Sequence, residues 1–169
     1  MKKIIPFLFL AILLTSCGNN EVFKEYRRFD DISWDRYKIL NFEVEVEKGQ
    51  LLDFDLFLRH HPNYPYDHLD VNITFYTPSG STMSRDYHFK LKDKNGNWLS
   101  DGLGDLWDIN LIIRKEMSFS KTGICKVRIE NKMTKIKIPG IIEIGLIGYR
   151  SLDEWKVGRQ SKKFRNGVF

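Results

Sequence analysis

The sequence is poor in the features that announce chemistry. It has two cysteines in 169 residues, so no internal disulfide framework is expected. No segment of useful length shows the 3.6-residue periodicity of an amphipathic helix. Gly-x-Ser-x-Gly and His-Glu-x-x-His are both missing, and with them the usual signatures of α/β-hydrolase and zinc-dependent hydrolysis. No apolar run approaches the roughly 20 residues that a membrane-spanning helix needs. The net charge of +5 is diffuse and too small to argue for nucleic acid as a partner.

What is present begins at the N-terminus. Lys2 and Lys3 precede an apolar run from Ile4 to Leu14, and Leu14-Thr15-Ser16-Cys17 follows. A short basic region, an apolar stretch of about eleven residues and small residues at a cleavage point make a secretory signal. The cysteine directly after Leu-Thr-Ser makes it a lipobox, with residues 1–16 removed and the Cys17 thiol carrying lipid. Two or more acyl chains, burying roughly 0.8 kcal/mol per methylene, hold a protein stably on a bilayer. Gly18 occupies the position where an Asp commonly retains lipoproteins in the inner membrane. Gly18-Asn19-Asn20-Glu21 also lacks an acidic cluster. An outer-membrane anchor facing the periplasm is therefore expected.

Beyond the signal, residues 17–38 read as a lipidated N-terminus and polar tether. From about residue 39 the dominant pattern is alternation of period two. Phe42, Val44 and Val46 alternate with Glu43, Glu45 and Glu47, and Phe54, Leu56 and Leu58 alternate with Asp53, Asp55 and Arg59. Leu69 to Tyr76 and Tyr87 to Leu91 repeat the pattern, with turn chemistry at Lys48-Gly49-Gln50, Thr77-Pro78-Ser79-Gly80 and Asp93–Asn97. Further strands are expected at about Leu111–Met117, Ile124–Asn131 and Ile141–Tyr149. The last is apolar on both faces and so central in its sheet. The fold class implied is all-β: a single antiparallel sandwich of jelly-roll type, with seven or eight strands over residues 39–150. Residues 151–169 form a basic tail with little apolar pattern, expected to be disordered.

Three places invite a chemical reading. His60, His61 and His68 flank Pro62–Tyr66, but neighbouring strand residues face opposite ways, and no carboxylate or cysteine completes a metal spacing. A metal-dependent hydrolase there is the weakest alternative, and no metal or cofactor is expected. Trp98–Asp108 carries Gly102-x-Gly104 without the strand–loop–helix context of phosphate binding, and its three Asp lack EF-hand spacing. Trp98 and Trp107 suit a peptide- or glycan-stacking face instead. Asp53 and Asp55 share a strand face opposite Phe54 and Leu56, the wet side. Cys125 shares a face with Val127 and Ile129 and reads as a buried apolar residue.

One ordered set of residues is more specific. Tyr64-Pro65-Tyr66, Thr77-Pro78-x-Gly80, Asp93-x-x-Gly96-x-Trp98-Leu99 and Gly102-x-Gly104-Asp105-Leu106-x-Asp108 are followed by Gly123, Met133 and Gly140-Ile141 with Ile144-Gly145-Leu146. With the lipobox, this resembles the GldH family of gliding motility lipoproteins of the Bacteroidetes, from Cys17 to about Gly148. The resemblance implies a non-enzymatic cell-envelope component tied to gliding and the allied type IX secretion system, supporting other envelope lipoproteins. It supplies no catalytic residues, and only Cys17 carries over with a role. The expected contact surface is Tyr64, Tyr66, Trp98, Asp105 and Trp107, because Tyr and Trp supply much of the energy of protein interfaces. A glycan-binding module using the same aromatics is the alternative.

Overall fold

A computed structural model describes residues 20–151. The signal, Cys17 and nearly all of the basic tail lie outside the described residues, and with them those three expectations.

The described chain is all-β and antiparallel, with no helix and therefore none long and apolar enough to cross a membrane. The strands are β1 (Glu21–Arg28), β2 (Ser33–Asp35), β3 (Leu40–Val46), β4 (Leu51–His60), β5 (His68–Tyr76), β6 (Thr82–Lys90), β7 (Asp101–Leu103), β8 (Leu106–Ser118), β9 (Gly123–Asn131), β10 (Lys137–Pro139) and β11 (Ile141–Arg150). They form a five-stranded sheet in the order β1-β11-β4-β8-β7, a four-stranded sheet β3-β9-β5-β6, and a small ribbon β10-β2. Apart from the β5–β6 and β7–β8 hairpins, the chain passes from one large sheet to the other, directly or by way of the β10-β2 ribbon, in the manner of jelly rolls.

The alternation explains the architecture. Phe54, Leu56 and Leu58 on β4 meet Leu69, Val71, Ile73 and Phe75 on β5 in one continuous core. Phe54 and Phe75 touch across the sandwich with centroids 5.2 Å apart. Cys125 is buried beside Val127 and Ile129, and burial pushes its thiol up to about 11. It is an inert core residue rather than a nucleophile. β11, apolar on both faces, lies between β1 and β4, a central position in its sheet. The β10-β2 ribbon closes one side of the core with Trp34 and Ile138, both fully buried.

Two expectations need correction. There are eleven strands among the described residues, because β2, β7 and β10 have three residues each, too few to show a period. The span read as a tether also contains β1, which pairs with β11 from Glu21↔Tyr149 to Arg28↔Glu143. Its alternation is masked because charge occupies core-side positions at a sheet edge. Arg27 bonds Glu25 at 2.6 Å and lays its guanidinium over the Phe42 ring at 4.8 Å. A sequence pattern scores such residues as polar, although the pair satisfies itself and its planar cation stacks on an aromatic face.

Candidate functional site

The histidines, aromatics and glycines singled out in the Tyr64 and Trp98–Asp108 segments gather at one end of the sandwich, where β4 ends and β8 begins. His60 closes β4 and is fully buried. Its Nε2 lies 2.8 Å from Ser100 Oγ and its Nδ1 3.0 Å from the His61 carbonyl oxygen. A neutral ring meets both demands, with Nδ1–H donating to the carbonyl and Nε2 accepting from the hydroxyl. Burial accordingly holds the His60 pKa below its ordinary value.

The loop after β4 is folded around Tyr64. That ring is 2 % exposed, its hydroxyl donates to the His68 carbonyl oxygen at 3.0 Å, and burial raises its pKa. Gly140 lies against it: its φ of +87° favours glycine, and a Cβ there would sit 3.0 Å from Tyr64 Cα. Tyr66 stacks edge-on against Tyr64 at 5.5 Å. Trp98 is half-buried, with His60 at 4.5 Å on its ring and Lys92 Nζ 4.0 Å above it.

The Gly-x-Gly segment is a hairpin, not a phosphate loop. β7 and β8 pair as Gly102↔Trp107 and Leu103↔Leu106, joined by Gly104-Asp105. Gly104 has φ +62°, the positive φ demanded at the first position of a tight hairpin turn. A Cβ on Gly102 would approach Trp107 Cγ to 2.5 Å, so that glycine is the bed for the indole. Trp107 Nε1–H donates to the Gly104 carbonyl oxygen at 3.0 Å. The hairpin tip is apolar and exposed: Leu103 is 91 % accessible and Leu106 50 %. Asp105, 83 % exposed at the turn, lies 3.5 Å from His61 Nε2. Asp108 is engaged bidentately by Arg59, at 2.7 Å to each oxygen.

The structure thus brings Tyr64, Tyr66 and Trp98 into one cluster and places Asp105 and Trp107 on the adjoining hairpin. Tyr64 is an internal anchor, not a surface residue. His60 and His61 part company as expected, one inside and one facing Asp105. Asp53 is a structural acceptor, taking the Glu116 N–H at 2.7 Å and the Ser151 hydroxyl. It thereby holds Glu116, which has φ +53°. Asp55 is half-buried, and burial, with Asp53 adding to it, raises its pKa. Sequence reasoning missed Leu103 and Leu106, whose exposure no pattern reveals, and the pairing of His88 with Asp70 across β5 and β6.

The GldH lipoprotein profile matches residues 21–147, a span that takes in both sheets and the whole aromatic end. The chain belongs to the GldH lipoprotein family. It is 26% identical over 151 residues to a gliding motility lipoprotein GldH homolog of Christiangramia forsetii, covering 85% of this chain and 92% of that one. It is 29% identical over 137 residues to the gliding motility lipoprotein GldH of Flavobacterium johnsoniae, covering 79% and 84%. Among solved structures, the infectious bursal disease virus VP2 subviral particle aligns over 78% of this chain and 33% of its own, at 14% identity and a TM-score of 0.35. That likeness is too distant to inform the account. Within this GldH-family chain, the motifs of the resemblance have structural reasons: Gly140 seats Tyr64, Gly102 seats Trp107, and Met133 Sδ accepts the Asp70 N–H at 3.3 Å.

Proposed function

We propose that this chain is a lipid-anchored envelope protein acting through protein–protein contacts in the gliding and type IX secretion machinery, without catalysis of its own. Membership in the GldH family is the observation that carries the reading. Cys17 is the anchor, in the outer membrane and facing the periplasm, and the partners are other envelope lipoproteins.

The geometry supports a particular orientation. The Arg150 N–H donates to the Asn20 carbonyl oxygen at 2.7 Å, and Arg150 pairs with Leu52 at the start of β4. Asn20, three residues after Cys17 in the sequence, thus marks the end of the sandwich from which the chain leads back to the lipidation site. His60 and Trp107 pair at the other end of the ten-residue β4, roughly 30 Å away at 3.2–3.4 Å per residue. The exposed tip of the β7–β8 hairpin therefore faces away from the anchored end, where a partner can reach it. Leu99, Leu103, Leu106 and Trp107 supply apolar contact and Asp105 a charge at the rim, a composition suited to a protein partner. The glycan reading fares less well, because Lys92 and His60 already cover the Trp98 ring.

A cross-linked pull-down of the tagged lipoprotein from its native membrane tests the reading. Recovery of gliding or secretion lipoproteins supports it. Recovery of polysaccharide without protein moves the weight to glycan binding.

A further inference from the structure

We propose that His68, Asp70 and His88 form a binding site for a divalent transition cation, zinc by its donor set, on the outer face of the four-stranded sheet. Leu69 and Val71 point into the core, so the alternation of β5 turns His68 and Asp70 outward on one face. The antiparallel register then sets His88 of β6 directly opposite Asp70. One ligand atom from each of the three lies within 4.8 Å of the other two. Asp70 Oδ1 is 2.6 Å from His88 Nδ1, and Asp70 Oδ2 is 3.7 Å from His68 Nε2. The two imidazoles stack with centroids 4.7 Å apart.

A second feature orients this set. His68 Nδ1 lies 2.7 Å from Asp67 Oδ1, the outer carboxylate that commonly fixes the tautomer of a metal-binding histidine. With its proton held at Nδ1, His68 directs the Nε2 lone pair toward Asp70. Two imidazoles and a carboxylate are the donors that zinc takes at about 2.0–2.2 Å, with a fourth position left open. Donors spread over as much as 4.8 Å close on an ion by about an ångström at the widest pair, to ligand distances of about 2.0–2.2 Å, while the Asp70–His88 contact opens, the ion replacing a proton between them. The strands fix the three backbones, so only side-chain rotation is required. His68 and His88 line a groove whose rim also carries Lys90, Lys92, Lys94 and Asp93, and water or an anionic group suits the fourth position there.

The test uses the full-length chain in detergent, free of any polyhistidine tag and stripped with chelator. Zinc chloride is titrated calorimetrically, and bound metal is counted after dialysis. One zinc per chain is expected. His68→Ala and His88→Ala should each weaken binding by more than about 100-fold, and Asp67→Ala by about 10–100-fold. Zinc should raise the melting temperature of the parent chain but not of His88→Ala, whose metal-free melt shows that it is folded. The proposal falls if the parent chain takes up no stoichiometric zinc. It falls equally if uptake survives both histidine changes and is lost with His61→Ala.

Discussion

At the scale of single residues, several side chains have neighbours that leave them one role. Gly102 is the sharpest case, because any Cβ there collides with the Trp107 indole at 2.5 Å. Gly102→Ala should lower stability by about 1–3 kcal/mol, as overpacking does, and alter the tryptophan near-ultraviolet signal. A thermal melt with circular dichroism reads both. His60 supplies a pH test. Burial depresses its folded pKa below the ordinary 6.5, so the unfolded chain binds the proton more readily. Its contribution is complete above about pH 6.5 and is lost as pH falls toward the folded value. The parent chain should lose melting temperature between pH 7 and 5. His60→Gln should start lower at pH 7 yet lose less over the same interval.

At the scale of elements, β1 separates a folded edge from a tether. Tyr26 lies edge-on to Phe57 at 4.9 Å and covers Gly145. Tyr26→Ala should therefore cost about 1–3 kcal/mol in a denaturant melt, as loss of part-buried aromatic packing does. A tether residue would change stability by less than about 0.5 kcal/mol. Strands with a dry face and a wet face, such as β3 with its Phe42-Val44-Val46 series, were legible in the sequence because burial there follows residue type. β1 was not, since Glu25 and Arg27 satisfy each other where a pattern expects apolar residues. The candidate site was half legible. Aromatics and glycines flagged its loops, but Tyr64 proved an anchor. The exposure of Leu103 and the meeting of His68 with His88 depend on register, which a single strand's sequence does not carry.

At the scale of the whole molecule, the sandwich has two unlike ends. Asn20, Arg150 and Ser151 lie where the chain leads back to Cys17, and the hairpin tip lies at the far end of β4. Replacing Leu103 and Leu106 together by Asp should leave stability within about 0.5 kcal/mol, as exposed positions generally do, while partner recovery from native membranes falls severalfold. Charge at the tip disrupts an apolar contact without touching the core. Quantitative mass spectrometry of the recovered proteins, beside a melt of the same variant, checks both halves.

The most direct measurement is a photo-activated cross-linking residue placed at Leu103 in the living cell, with the same residue at Lys48 on the anchored end as its comparison. The expected result is a discrete protein adduct from position 103, identified as another envelope lipoprotein of the gliding or secretion machinery, and none of comparable yield from position 48. Adducts from Lys48 alone, or no protein adduct from either position, would contradict it.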